Sequence, residues 1–183
     1  AIKTNGSLWA WGFNNYGKLG TGSTSPDRYS SPVQIGALTT WDKVRCMYSS
    51  TVAVKTDGTV WTWGRNQVGQ LGQGNTTDYS SPVQVGALTT WLDVAAGNYH
   101  CLASKTDGTL WSWGDNSPNG QLGLGDDTSR SSPVQVGSLT NWYAVSGGQN
   151  HTIATKTDGT LWSWGYNNEG QLGDSAILDN KSS

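Results

Sequence analysis

Two histidines recur at the same position of a repeated segment, and these are the first candidates for metal binding or acid–base chemistry. His100 and His151 each stand three residues after a glycine. A metal site needs further ligands that converge on one point, and no carboxylate or cysteine recurs beside both histidines. No nearby serine or cysteine has a context typical of a nucleophile activated by histidine. We therefore predict structural histidines that bond across repeats, and no catalytic residue, metal site or cofactor.

A second candidate chemistry is phosphate binding by residues 12–19, which read GFNNYGKL. This segment comes within one residue of a P-loop, but Leu19 stands where the motif needs a Ser or Thr for Mg²⁺. The other repeats carry Gln in place of Lys18, and no helix is expected to follow. The sequence therefore predicts a connecting loop here. Cys46 and Cys101 fall in different columns of the repeat, which indicates free thiols.

The composition excludes several classes of protein. The chain has 183 residues and a net charge of -2, with Lys+Arg 11 against Asp+Glu 13, and it contains Gly 25 and Trp 11. Low charge with many aromatic residues argues against disorder. The apolar runs are far shorter than the roughly 18 residues that would span a bilayer. Because no block of Lys or Arg exists, we expect no nucleic-acid partner.

Self-similarity organises the whole chain. A Lys-Thr-(Asp/Asn)-Gly segment begins at Lys3, Lys55, Lys105 and Lys156, with a period of about 51 residues. A Trp-x-Trp-Gly segment follows each copy. These tryptophans recur at one position of every unit, so we predict that they pack as core: Trp9, Trp11, Trp61, Trp63, Trp111, Trp113, Trp162 and Trp164. Residues 1–183 are a single run of repeats, with units that start near 3, 55, 105 and 156 and with the first and last incomplete.

Each unit has the pattern of four short strands. In one unit we predict strands over 100–104, 109–113, 133–136 and 142–146, with Pro133 as the first residue of its strand, where a missing N–H does least harm. Asp107-Gly108 predicts a type I′ hairpin with positive φ at both residues. Residues 114–123 read as a glycine-rich loop. Four strands in about 50 residues are typical of a propeller blade, so we predict an all-β fold with about 3.5 four-stranded antiparallel blades.

The segment 94–114, followed by Asn116 and Gly120-Gln-Leu-Gly123, resembles the regulator of chromosome condensation repeat family. The resemblance covers essentially the whole chain and implies a seven-bladed β-propeller. Seven units would need almost twice the residues present, so we expect the ring to be completed by the rest of a longer chain or by other chains. One departure is local: Met47 and Ser50 stand where other copies have Gly and His, and we expect that corner to differ. The regular copies resemble bacterial and phage members of the family.

Comparison of the copies separates uniform from variable positions. The Asp-Gly turns and the Gly-(Ala/Ser)-Leu-Thr segments barely vary, whereas the glycine-rich loop and the corner before each predicted 100–104-type strand vary strongly. Alternating strand direction places both variable clusters on one face. Tyr, Arg and Phe are typical of binding hot spots. The predicted partner-binding face comprises Phe13, Tyr16, Arg28, Tyr29, Tyr48, Arg65, Tyr79, Asn98, Tyr99, Asp115 and Tyr166, with residues 176–178 in the same cluster. Drift in unconstrained loops would produce the same pattern.

The sequence favours a non-enzymatic binding or structural module that presents this face to a protein or a surface glycan. We expect a phage or virion surface component or a secreted bacterial attachment protein, located outside the cell or on a virion. Two alternatives use the same fold: a propeller inhibitor of a secreted enzyme, and, by resemblance, a guanine-nucleotide exchange factor for a small GTPase.

Overall fold

The computed structural model describes residues 1–174, 180 and 181, and it is built from antiparallel strands. Thirteen strands follow one another along these residues, with one 3₁₀ turn at Asn15–Gly17: β1 (Trp9–Phe13), β2 (Arg28–Gln34), β3 (Trp41–Cys46), β4 (Ser50–Lys55), β5 (Val60–Gly64), β6 (Tyr79–Gln84), β7 (Trp91–Ala96), β8 (His100–Lys105), β9 (Leu110–Gly114), β10 (Arg130–Gln135), β11 (Trp142–Gly147), β12 (His151–Lys156) and β13 (Leu161–Gly165). Within these residues, no helix is long and apolar enough to cross a membrane.

Consecutive strands pair as antiparallel neighbours, so each sheet is an up-and-down meander. β3–β6 and β7–β10 form two four-stranded sheets, β11–β13 a three-stranded sheet, and β1–β2 a two-stranded one. Each four-stranded sheet is one blade, and its first two strands face the first strand of the next sheet along the chain. The prediction of an all-β fold of four-stranded propeller blades is confirmed.

The hairpin prediction was right in place and wrong in turn type. The N–H of Gly108 donates to the carbonyl of Lys105 at 3.0 Å, which closes the turn. Gly108 has φ +78°, whereas Asp107 does not have positive φ. This is the longer hairpin loop in which one glycine takes the left-handed conformation, and Asp107 stays right-handed because its carboxylate accepts the N–H of Thr109 at 3.0 Å.

The strand that contains Pro133 begins three residues earlier than predicted. β10 starts at Arg130, and its pairing with β9 shifts register between Arg130 and Val134. Pro133 therefore lies at an irregularity of the edge strand, where no ladder hydrogen bond needs its missing N–H.

Tryptophan triplets form the core of each blade. The Trp91 ring meets the rings of Trp111 and Trp113 edge to face, at 5.9 and 6.2 Å between centroids. Trp113 is fully buried, and its indole N–H donates across the blade interface to the carbonyl of Gln70 at 3.1 Å. The glycine-rich loop approaches this ring so closely that a Cβ on Gly72 would lie 2.8 Å from the indole nitrogen. The second tryptophan of the Trp-x-Trp pair therefore joins neighbouring blades.

Two of the eight predicted core tryptophans are half exposed, which corrects that prediction for them. Trp11 is 51% exposed and Trp162 is 47% exposed, whereas Trp63 is 1% exposed. Trp63 is covered by Trp41 and by the loop of the preceding blade at Gly20. Within residues 1–174, 180 and 181, Trp11 has no preceding blade to cover it, and β13, which carries Trp162, has no outer strand beside it.

The first tryptophan of each pair is held by the Lys-Thr-Asp-Gly segment. The Lys105 ammonium lies 3.5 Å from the centre of the Trp111 ring, and the Trp111 indole N–H donates to the Thr109 hydroxyl at 2.9 Å. That hydroxyl donates in turn to Asp107 at 2.6 Å. This bond and the Thr109 amide lower the pKa of Asp107. The same lysine-over-tryptophan contact recurs at Lys3, Lys55 and Lys156, so the repeated motif is structural.

Candidate functional site

The variable segments gather at one end of the strands, here named the loop end. It consists of the corners at 47–49, 97–99 and 148–150 and the glycine-rich loops at 14–27, 65–78 and 115–129. The opposite end, the turn end, carries the Asp-Gly turns and the connections at 35–40, 85–90 and 136–141. Corner and loop are bonded directly, because the Arg65 N–H donates to the Ser49 carbonyl at 3.0 Å and the Asp115 N–H to the Tyr99 carbonyl at 2.9 Å. Both variable clusters therefore share one surface.

Five predicted face residues meet in one open depression of about 570 Å³ at the loop end, here named the Arg65 depression. It is lined by Phe13, Asn15, Tyr16, Lys18, Tyr48, Ser49, Arg65 and Tyr99. The Arg65 guanidinium carbon lies 5.2 Å from the centre of the Tyr16 ring and 5.9 Å from that of Tyr99. The Tyr48 and Tyr99 rings are 5.8 Å apart. Side chains from three neighbouring sheets or their loops thus surround one arginine.

The corner segments that carry Tyr48 and Tyr99 are linked by backbone hydrogen bonds. The Tyr48 N–H donates to the Asn98 carbonyl at 3.3 Å, and the Asn98 N–H donates to the Gln149 carbonyl at 3.2 Å. Asn98 therefore links successive corners through its backbone. Phe13 and Tyr48 are 58% and 63% exposed, so large apolar surface at this end faces solvent.

The other predicted face residues lie outside the depression. Arg28 stacks over Phe13 with 5.2 Å between the guanidinium carbon and the ring centre. Tyr29 and Tyr79 lie at the starts of β2 and β6, and the Tyr79 hydroxyl accepts an N–H of Asn75 at 3.2 Å.

Asp115 and Tyr166 lie in the next loops along the arc. The Asp115 carboxylate accepts hydrogen bonds from Gln121 and Ser129 at 3.2 and 3.3 Å, which occupies it inside its own loop. The Tyr166 N–H donates to the Asn150 carbonyl at 2.9 Å, so this residue repeats the loop-to-corner bond. Residues 176–178 lie outside the described residues.

Sequence reasoning missed a column of buried asparagines that shapes every loop. Asn66 is fully buried, its side-chain oxygen accepts the Leu71 N–H at 2.9 Å, and its amide N–H donates to the Asn75 carbonyl at 3.0 Å. Asn14, Asn116 and Asn167 have the same acceptor role toward Leu19, Leu122 and Leu172. The signal was available, since Asn is the residue common to all four copies two positions after Trp-x-Trp-Gly.

The predicted face also omitted three residues that line the Arg65 depression, Asn15, Lys18 and Ser49, and Lys18 is the charged one. The Lys18 ammonium donates to the Tyr48 carbonyl at 3.5 Å. Gln70, Gln121 and Gln171 occupy the same column in the other repeats. The departure from Gln was therefore visible in the sequence, but its proximity to Arg65 was not.

The two histidines lie away from this depression, at blade interfaces. His100 is fully buried, and its Nε2 lies 3.2 Å from the Thr152 hydroxyl oxygen of the next sheet. That hydroxyl donates to the Gln121 carbonyl at 2.8 Å, so Nε2 must be the donor toward Thr152. Burial, with the neighbouring His151, lowers the pKa of His100 to about 4. A neutral, buried imidazole is suited to structural bonding between blades.

No cluster of three or more His, Cys, Asp or Glu side chains suited to a metal ion occurs among residues 1–174, 180 and 181. Cys46 is exposed and Cys101 is buried, and both are free thiols. Within the loop end, the Arg65 depression has two cations and four aromatic rings in its lining.

Comparison with known proteins places this chain beside eukaryotic relatives. It is 37% identical to the ultraviolet-B receptor UVR8 of Arabidopsis thaliana over 177 residues, which cover 94% of this chain and 40% of that protein. It is 46% identical over 79 residues to the RCC2 homologue of Danio rerio, covering 42% of this chain and 16% of that protein. These relatives do not support the bacterial or phage assignment, and the chain spans well under half of each.

Solved structures share the fold across the whole chain. Prp20p of Saccharomyces cerevisiae matches with a TM-score of 0.84 at 21% identity, covering 99% of this chain and 46% of Prp20p. Human WBSCR16 matches with a TM-score of 0.85 at 22% identity, covering 99% of this chain and 47% of that protein. At these identities the likeness establishes the fold alone.

The family model for the regulator of chromosome condensation (RCC1) repeat matches three successive segments, residues 5–54, 57–104 and 107–155. The matched segments cover most of the chain and are offset from the blades, so each tryptophan triplet is shared between two of them. A second model of the same repeat matches residues 41–70, 91–121 and 142–171, and each of these segments contains one whole triplet. The resemblance seen in the sequence is thereby confirmed at the level of the repeat. The chain belongs to the RCC1 repeat family.

Proposed function

We propose that this chain is a non-catalytic protein-binding module that presents its loop end to a macromolecular partner. The observation that carries the proposal is the Arg65 depression, where five residues chosen for their variability between copies line one surface. Arginine and tyrosine dominate binding hot spots because they offer large, rigid contact area with polar tips.

The repeat architecture supports the same role. The tryptophan, lysine and asparagine columns hold the blades and loops, and none of these columns includes Phe13, Tyr48 or Arg65. Exposed Phe13 and Tyr48 place apolar surface in water, and such patches mark interaction sites. The partner in this proposal is a protein, and a surface glycan is an alternative that the test below separates. An extracellular or virion location stays a prediction.

The second candidate is a guanine-nucleotide exchange factor for a small GTPase. The solved structure of Prp20p was described together with its binding to Gsp1p and histones. The likeness to Prp20p supports this candidate through the fold. The assay is release of fluorescent GDP from Gsp1p: a rate raised by the intact protein supports exchange activity, and an unchanged rate removes this candidate.

Two exposed tyrosines provide a matched test of the binding end. Tyr48 lies at the loop end, and Tyr143, the second residue of β11, lies near the turn end. Each is replaced in turn by photoreactive benzoylphenylalanine, and the intact protein is irradiated in extract of its source organism. Protein crosslinks from position 48 that exceed those from position 143 support the proposal. Crosslinks from position 143 with none from position 48 contradict it, and capture of glycan-bearing material that glycosidase treatment abolishes favours the glycan.

A further inference from the structure

The Arg65 depression concentrates positive charge in a chain whose net charge is negative. Its lining contains two cations, Lys18 and Arg65, and no carboxylate. Within residues 1–174, 180 and 181, neither cation has a carboxylate within ion-pair distance. Four of the other cations are paired with Asp93, Asp126 or Asp174: Lys43, Arg45, Arg130 and Lys181. The other five lie over aromatic rings, as Arg65 also does: Lys3, Arg28, Lys55, Lys105 and Lys156. Lys18 and Arg65 are brought together in one depression that has no carboxylate in its lining.

The Arg65 side chain is partly buried but incompletely bonded. One terminal nitrogen donates to the Gln67 side-chain oxygen. Its Nε is buried and has no hydrogen-bond partner among the described residues. A buried donor without an acceptor is costly, more so on a charged group. Because the Nε is closed to solvent, a ligand oxygen would meet the guanidinium at its terminal nitrogens and offset the charge that the surroundings leave uncompensated.

The backbone conformation of Tyr16 fixes its ring beside the Arg65 side chain. Tyr16 has φ +62°, and it is the one non-glycine residue with positive φ in the part of the chain that the structure describes. This left-handed conformation is unfavourable for a bulky side chain and marks positions that the surroundings hold in place. Val68, at the same column of the next copy, does not share it. The conformation places the Tyr16 ring against the Arg65 guanidinium.

We propose that the Arg65 depression binds a carboxylate side chain within an acidic segment of the partner protein, with Arg65 and Lys18 as its counter-charges. This inference rests on the proposed function and names the partner chemistry of that same site. A guanidinium fork matches a carboxylate geometrically, and a partly buried pair is weakly screened. The rings of Phe13, Tyr48 and Tyr99 pack against the side chains that flank the carboxylate.

The test uses defined probes because the partner is unidentified. Fluorescent pools of 12-residue peptides with three Asp or Glu positions are titrated into the intact protein, beside pools with Asn and Gln at those positions and a 12-nucleotide single-stranded DNA. Fluorescence anisotropy reports binding, and NMR follows the Arg65 Nε–H resonance. We expect the acidic pool to bind at least tenfold more tightly than the amide pool and to shift the Arg65 Nε–H resonance. The affinity for the acidic pool should fall when the salt concentration is raised.

Two variants keep the test decisive. Arg65→Gln should weaken acidic-pool binding at least tenfold, and Lys18→Gln, which restores the residue of the other three repeats, should weaken it several-fold with an unchanged melting temperature. Equal binding of both pools, tighter binding of the DNA, or unchanged affinity in both variants overturns the inference. Sedimentation velocity that shows self-association lost in Arg65→Gln also overturns it, because the occupant is then a second copy.

The peptide-binding result can be distinguished from the crosslinking result that tests the proposed function. Crosslinking from Tyr48 with no preference for acidic peptides removes the carboxylate and keeps the loop-end binding surface. Crosslinking confined to Tyr143 removes the binding surface itself.

Discussion

The sulfur of Met47 lies 3.7 Å from the sulfur of Cys101 in the next sheet. At the following interface the corresponding link is polar, from His100 Nε2 to the Thr152 hydroxyl. A Cβ on Gly97 would lie 2.1 Å from the His100 ring, so His100 requires glycine at that position. Where Ser50 replaces histidine, that space is available to Met47. Three positions therefore differ together between the two interfaces, and a thiol–thioether contact at the first stands in the place of the imidazole–hydroxyl bond at the next.

This relationship predicts strong coupling between the three positions. Met47→Gly alone should lower the free energy of unfolding by about 2–5 kcal/mol, because it empties a buried site. The triple variant Met47→Gly, Ser50→His, Cys101→Thr rebuilds the interface of the next blade and should recover most of that loss. Urea unfolding of the single and triple variants measures it. A triple variant less stable than Met47→Gly would show that the two interfaces are not interchangeable.

The buried His100 predicts acid sensitivity in a defined range. Its pKa is lowered to about 4 in the folded chain from 6.5, so the fold favours the neutral ring. The stabilisation is complete above about pH 6.5 and is lost as pH falls from there toward 4, since the unfolded chain takes up the proton first. The full loss is about 3 kcal/mol.

The measurement is the urea midpoint of the wild type and of His100→Gln at several values of pH from 7 to 4. The stability difference between them should shrink as pH falls. His151, whose pKa burial also lowers, is tested separately as His151→Gln. A difference that stays constant across the range would show that His100 titrates alike in both states.

The two cysteines should differ sharply in reactivity. Cys46 is exposed, whereas Cys101 is fully buried and burial raises the pKa of its thiol. Thiolate is the reactive form, so native protein should react with one equivalent of Ellman's reagent and denatured protein with two. Cys46→Ser should abolish the native reaction. Native reaction of both thiols at similar rates would mean that the blade interface at Cys101 opens readily.

The contribution of the Thr109 hydroxyl, which links Trp111 to Asp107, can be tested with a substitution that occurs in another copy of the repeat. Thr109→Val removes the acceptor for the Trp111 indole and should destabilise the chain by about 1–2 kcal/mol. Thr109→Ser should retain most of the stability, because Ser7 accepts the Trp9 indole N–H at 2.9 Å in the first copy. Thermal unfolding compares the two variants, and a Thr109→Val variant as stable as Thr109→Ser would show that the hydroxyl bond contributes little to stability.

The fold was predictable from the sequence because Trp-x-Trp and Asp-Gly recur at constant spacing, and few arrangements other than propeller blades have that repeat. The type of turn was not predictable from Asp107-Gly108, because the Thr109 contact that decides it is a side-chain interaction. Half-exposure of Trp11 and Trp162 depends on which neighbouring strands are present, which a repeat pattern does not show. The variable face was chosen from differences between copies, but Lys18 joined it through loop folding that brings residues from separate units together.

If the loop end binds the partner and the turn end only stabilises the fold, substitutions at the two ends should separate affinity from stability. The most direct measurement is affinity for the partner captured through Tyr48, together with the melting temperature, for Arg65→Ala and Asp107→Ala. Arg65→Ala is expected to weaken binding at least tenfold at an unchanged melting temperature. Asp107→Ala should lower the melting temperature and leave affinity unchanged. Equal loss of affinity in both variants would show that the loop end is not the binding surface.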